Sequence, residues 1–148
     1  MLQPAPTTKI DPELARGTLL AIHPAMGDEP AMVEIGFANT SYRVRLALIG
    51  EIKAKVGKKV IGSIRADARR VDVVDSGGRY VEPVLGRPRR VQGRIIAANN
   101  TSNTITVHAG FPIVCRLSDA RQRAVGFEPG QLVSFDVKAG ATFTEKPA

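Results

Sequence analysis

Arginine is the residue whose type and spacing give this chain its clearest chemistry. Arg43, Arg45, Arg65, Arg69, Arg70, Arg87, Arg89, Arg90 and Arg94 fall in residues 43 to 94, a stretch with fourteen basic and five acidic residues and a net charge of +9. Residues 1 to 42 carry two basic and five acidic groups, net −3, and residues 95 to 148 carry five and four, net +1, giving +7 overall. A guanidinium stays charged at neutral pH, and its planar fork matches phosphate oxygens. The clustering therefore points to a polyanion, with these nine arginines as candidate phosphate contacts for single-stranded RNA or DNA. A solvated face that keeps the protein soluble is the competing reading of the same charge. Two Tyr, five Phe and no Trp leave little for base stacking, which favours backbone or shape recognition. Phe37 and Tyr42 are the stacking candidates, although a core role is the stronger expectation for each.

Other chemistries find no support. Cys115 lies in the apolar run Ile113-Val114-Cys115 with no histidine near it, the pattern of a buried structural thiol. His23 and His108 fall at expected strand ends without His, Cys or carboxylate neighbours at ligand spacing, so no metal site is expected. The carboxylates are scattered, with no pair placed for acid and base work. Arg90 and Arg94 have the Arg-x-x-x-Arg spacing of PilZ domains, which bind a cyclic dinucleotide, but Asn100-Thr101-Ser102 lacks the glycine that the companion motif requires. Asn100-Thr101-Ser102 also matches a glycosylation sequon and is read as a turn. The expectation is a protein that is not an enzyme, with no catalytic residue and no cofactor.

The elements that must position the arginines are written twice. Gly17-Thr18-Leu19-Leu20-Ala21 returns as Gly93-Arg94-Ile95-Ile96-Ala97, Gly36-Phe37 as Gly110-Phe111, and Arg45-Leu46 as Arg116-Leu117. Gly57…Ile64-Arg65-Ala66 returns as Gly130…Val137-Lys138-Ala139, with the same glycine-to-basic step. Four landmarks in one order indicate two copies of a small unit. A unit of about 60 residues buries only about 60% of its unfolded surface, so the copies are expected to pack together or on another chain.

Each copy reads as β. Runs at Thr18 to His23, Met32 to Phe37, Tyr42 to Leu48, Lys59 to Arg65 and Arg70 to Val74 are apolar-rich and separated by turn residues. Val91 to Ala97, Thr104 to His108, Ile113 to Leu117, Leu132 to Lys138 and Ala141 to Glu145 repeat the scheme. Between the third and fourth runs, Ile49 to Val56 and Ser118 to Phe127 suggest a helical turn, which after strand three of a five-stranded barrel marks an OB-fold. The expected fold is all-β: two tandem five-stranded OB-like barrels joined by a short packed linker. The expected divisions are a flexible arm over 1–13, a first barrel over 14–76, a linker over 77–88 and a second barrel over 89–148.

One stretch resembles a known family. Gly126-Phe127-Glu128-Pro129-Gly130-Gln131-Leu132-Val133-Ser134-Phe135-Asp136-Val137-Lys138-Ala139 is similar to the ending of MOP or TOBE domains, and Val56-Gly57-Lys58 through Ile64-Arg65-Ala66 is similar with arginine in place of the lysine. The resemblance implies tandem barrels and, in some members, molybdate or tungstate held by backbone amides, hydroxyls and that lysine. The Ser-Ala-Arg-Asn opening of the oxyanion binders is replaced by Pro88-Arg89-Arg90-Val91-Gln92, so Lys138 alone carries over as an oxyanion-site residue.

Three functions follow as expectations. The first is nucleic-acid binding through residues 43–94. The second is a protein–protein or self-association module pairing through strand edges. The third is a small-oxyanion binder of the MOP or TOBE type. No apolar run approaches the roughly 20 residues that span a bilayer, and the start has neither a basic nor an apolar leader region, so no membrane partner and a cytoplasmic location are expected.

Overall fold

Runs of aliphatic and β-branched residues bounded by glycine, proline and asparagine become strands along the chain. The computed structural model describes residues 11–147; the first ten residues of the expected N-terminal arm lie outside them. The strands are β1 (Leu14–His23), β2 (Met32–Gly36), β3 (Arg43–Leu48), β4 (Lys59–Ala68), β5 (Asp72–Val73), β6 (Tyr80–Glu82), β7 (Leu85–Gly86), β8 (Arg90–Asn99), β9 (Thr104–His108), β10 (Pro112–Leu117) and β11 (Leu132–Glu145). Among the described residues no helix is long and apolar enough to cross a membrane.

The repeat is visible in local geometry. β1–β2–β3 and β8–β9–β10 are matching antiparallel meanders, and the first strand of each is irregular at the same place, Leu19/Ala21 and Ile95/Ala97. Gly57 and Gly130 turn the chain with φ of +90° and +95°, and their N–H groups donate to Leu19 O at 2.7 Å and Ile95 O at 2.8 Å. That left-handed φ favours glycine. Two of the repeated landmarks are out of register, however. Thr18 pairs with Gly36 and Arg94 with His108, so Gly36 corresponds to His108 and not to Gly110. Gly36 pairs with Arg43 and His108 with Pro112, which sets Arg45 against Val114 and not Arg116. The loop over 37–42 is longer than that over 109–111, and a count along the sequence absorbs the difference as a shift.

Gly17 and Gly93 are required for a different reason, the close approach of the neighbouring strand. A Cβ on Gly17 would lie 2.5 Å from the Gly36 carbonyl oxygen, and one on Gly93 would run into the His108 carbonyl. Because the obstacle is paired backbone, Gly93→Ala is expected to destabilise the fold by about 1–3 kcal/mol. Gly126→Ala, whose Cβ meets open space, should stay within about 0.5 kcal/mol of the parent. Thermal unfolding of the two variants checks the contrast.

The expected pair of separate five-stranded OB-like barrels does not form. All eleven strands join one sheet in the order β5-β11-β3-β2-β1-β4-β10-β9-β8-β6, with β7 on β3, and further pairings of β11 with β4 and β8 close it into a ring. The cause is the length of two strands. β4 and β11 were expected to end at Arg65 and Lys138, but they run for 10 and 14 residues, and their last parts cross into the other copy. Val114–Leu117 of β10 lie parallel to Arg65–Ala68 of β4, and Ala47–Leu48 of β3 lie parallel to Thr142–Phe143 of β11. The strands leaving each meander are tied alike, Ile49 N–H to Phe143 O at 2.9 Å and Ser118 N–H to Ala68 O at 3.2 Å. Where β4 and β11 pass each other the register shifts between Lys138 and Thr142, with Ala139 and Gly140 at φ of 56° and 78° in between.

Three smaller expectations change with it. The run at Arg70 to Val74 contributes only the two-residue β5, since β11 takes the place of a fifth strand in the first copy. Ile49 to Val56 forms no helix: the N–H groups of Lys53 and Ala54 donate to the Glu145 carboxylate at 2.6 and 3.0 Å. Ser118 to Phe127 keeps only a 3₁₀ turn at Ala124–Gly126: the expected cap Ser118 instead donates its hydroxyl to the Ala68 carbonyl, and the Gln122 amide is drawn to the N–H and carbonyl of Val71. The core is continuous across the copies, with Leu19, Ile35, Leu46 and Ile64 in the same buried cluster as Ile113, Phe111, Phe135 and Phe143. Residues of the expected linker attach to both sides, β6 to β8 and β7 to β3.

Candidate functional site

The nine arginines divide by what their side chains already hold. Arg43 donates to Glu34 Oε1 at 2.8 Å, Arg70 to Asp72 at 3.0 Å, and Arg90 to Asp136 at 2.9 Å and Ser134 Oγ at 2.8 Å. Arg94 and Arg87 donate to backbone carbonyls, those of Gly130 at 2.8 Å and Ala139 at 3.3 Å. Arg45, Arg65, Arg69 and Arg89 have no side-chain hydrogen bond or ion pair among the described residues. The ion pairs commit three of the nine guanidiniums to carboxylates, two of which, Glu34 and Asp136, lie outside residues 43 to 94. Glu34 also meets His23 Nε2, and the hydrogen bonds from Arg43 and then His23 hold its carboxyl below the usual range.

Of Arg45, Arg65, Arg69 and Arg89, all but Arg69 line two recesses. One, of about 320 Å³, lies where β4 and β11 cross beside the β9–β10 hairpin. It is lined by Arg65, Arg116, Asp67 and the hydroxyls of Ser102, Thr104 and Thr142. Arg116 grips Asp67 with both ends of its fork, Nε to Oδ1 at 2.8 Å and Nη2 to Oδ2 at 3.0 Å. That pair, helped by the more distant Lys138 charge, keeps the Asp67 carboxyl below its ordinary value. Ser102 Oγ and Thr104 Oγ1 are 2.9 Å apart, and Thr104 is buried. Lys138 is exposed on β11 opposite Asp67 and does not line this recess; Arg65 stands at the matching place in the other copy. The second recess brings Arg45, Arg87 and Arg89 together beside the β2–β3 hairpin. Arg69 is exposed and lines neither recess.

No family model matches the chain, and no curated protein does. A solved structure to which it is similar is the cytoplasmic molybdate-binding protein ModG with molybdate bound. The two chains are 18% identical over 95% of this chain and all of that one, with a TM-score of 0.48.

The aromatic candidates are used for packing. Phe37 is buried and stacks on Phe111 at 4.2 Å with planes 9° apart, and Tyr42 meets Phe111 edge-on at 5.7 Å. The Tyr42 hydroxyl accepts the Val81 N–H at 2.9 Å, fixing β6 against the first copy. Cys115 is buried, and desolvation pushes its thiol far up, away from nucleophilic character. His108 accepts from Arg79 at Nδ1, and burial followed by the Arg79 charge holds it below its usual value. Among the described residues no group of three or more His, Cys, Asp or Glu side chains could hold a metal ion.

Sequence reasoning missed Arg116, Asp67, Ser102, Thr104 and Thr142. Ser102 read as part of a turn and Thr142 as an ordinary strand residue. Only the parallel seam between β4 and β10 brings Asp67 and Arg116 side by side, and that seam has no sequence signature of its own.

Proposed function

We propose that this chain is a non-enzymatic binding module for a small tetrahedral oxyanion, held at the recess formed by β4, β11 and the β9–β10 hairpin. Arg65 carries the reading: it is a guanidinium without a carboxylate partner among the described residues, facing a recess with three hydroxyls. Arg65 and Arg116 against Asp67 leave one positive charge in excess, and Arg116 is already committed to that carboxylate. An incoming anion is thus offered one free planar fork and, from the bonded Ser102–Thr104 pair, the one hydroxyl hydrogen that the pair does not use, while the Thr142 hydroxyl is turned to the Arg65 carbonyl. The MOP or TOBE resemblance of the segments ending at Arg65-Ala66 and Lys138-Ala139 points the same way. The nine-arginine nucleic-acid surface is less well supported, since five of its members already hold carboxylates or backbone carbonyls.

Calorimetric titration with molybdate, tungstate, sulfate and phosphate at low salt tests the proposal. At least one should bind, and Arg65→Ala should weaken that binding about tenfold, the value of a lost charge-assisted hydrogen bond. Thr142→Val should cost less, and Arg123→Ala, which does not line the recess, nothing. No binding of any of the four at millimolar concentration, or an equal loss in Arg123→Ala, would reject it.

A further inference from the structure

The second recess, of about 400 Å³, has a lining of different chemistry. Arg45 projects from β3 and is half-buried; Arg87 and Arg89 come from the chain after β7; Glu29 is the one carboxylate in the lining. Glu29 is beyond ion-pair distance, so none of the three guanidiniums has a carboxylate partner among the described residues. Glu34 lies directly across from Arg45 in the β2–β3 ladder, yet its two oxygens are taken by Arg43 and His23. Arg45 thus stands half-buried without a counter-charge among the described residues, and a ligand anion would supply one.

The recess is held from both copies. Arg43 N–H donates to Val84 O at 2.9 Å and β7 pairs with β3, which fixes the near wall. Arg89 N–H donates to Glu82 O at 2.8 Å, and its carbonyl accepts the Val137 N–H at 2.7 Å, so Arg89 projects from a backbone pinned between β6 and β11. Arg87 is oriented by its bond to the Ala139 carbonyl. Anchored backbones of this kind lower the ordering cost of binding. The remaining wall is apolar: Met32, Pro83 and Leu85, with Leu85 at 65% exposure although it is in a paired strand.

We propose that this recess binds a phosphomonoester, its phosphate gripped by Arg45, Arg87 and Arg89 and its organic body laid on Met32, Pro83 and Leu85. Three positive charges against Glu29 leave an excess of two, which matches the charge a phosphomonoester approaches at neutral pH. Planar forks suit its three terminal oxygens better than point charges would. A bare oxyanion has no use for the apolar wall, and a phosphodiester inside a polymer lacks the second charge. The inference does not depend on the oxyanion reading, because the two recesses share no lining residue.

The test uses the whole chain and phenyl phosphate as probe, by calorimetry at low salt. Phenyl phosphate should bind more tightly than inorganic phosphate, and Arg45→Met and Arg89→Gln should each weaken it about tenfold. Leu85→Ser, a change at an exposed side chain, should remove the preference for the phenyl ester. Arg65→Ala should leave phenyl phosphate binding intact and Arg45→Met should leave molybdate binding intact, so either proposal can fail alone. An octauridylate with a 5′-phosphate, set against its 5′-hydroxyl counterpart, distinguishes the source. Tighter binding of the phosphorylated form places the ester at the end of a nucleic acid; binding of phenyl phosphate without that difference places it on a small molecule. Equal binding of the two octauridylates without phenyl phosphate binding, or an equal loss in an Arg123→Ala control, overturns the proposal.

Discussion

Expressed separately, residues 1–76 and 77–148 should each give the circular dichroism spectrum of an unfolded chain and recover β structure only on mixing. The first fragment lacks Thr142–Phe143, which pair with β3, and the second lacks Arg65–Ala68, which pair with β10. Each would expose the edge of its meander and leave buried residues of the common core open to water. A lone unit of this size is marginal even when complete, because it buries only about 60% of its unfolded surface. The expected loss is therefore of folding itself. A fragment that folds cooperatively alone would show that the exchanged segments are dispensable.

The second large effect is expected at Phe143. Its ring is fully buried, and it belongs by sequence to the second copy while lining the first copy's side of the sheet, between β3 and Gly62 of β4. Phe143→Ala should lower the unfolding free energy by about 3–5 kcal/mol, through lost transfer energy and the cavity left behind. Phe143→Leu should cost less. The position of the damage is the sharper readout. In hydrogen exchange, amides of β1, β2 and β3 should lose protection before those of β8 and β9, although the substitution is near the other end of the chain. Equal loss in both meanders, or a cost below about 1 kcal/mol, would contradict the packing described.

What could be read from the sequence was whatever a residue requires locally. Gly57 and Gly130 stand out as repeated turn glycines, and the fold gives both a positive φ, whereas the strand that passes too close to Gly17 and Gly93 for a side chain is visible only in the fold. Short strands follow from period-two alternation, and β9 was expected within its observed bounds. The exchange between copies could not be read the same way. A strand carries no mark of which neighbour it will pair with, and the one hint was that the alternation of Val60, Gly62 and Ile64 continues past Arg65 through Ala66 and Ala68. The site divides likewise. An excess of arginine is a property of composition, but Arg90 with Asp136 and Arg116 with Asp67 are pairs made by the fold, separated by 46 and 49 residues. Which guanidiniums remain free therefore depends on tertiary pairing.

The crossing of β4 and β11 also governs when the molecule can form. On the ribosome, β1 to β4 emerge well before the stretch that completes the pairing of β3. A nascent chain that has finished its first copy holds the end of β4 unpaired until β10 is made, and the Ala47–Leu48 edge of β3 open until Thr142–Phe143 arrive. Such edges recruit other strands. Translation speed through the second half, and any chaperone that shields β3 in the interval, thus bear on yield in a way that the balance of the finished fold does not reveal.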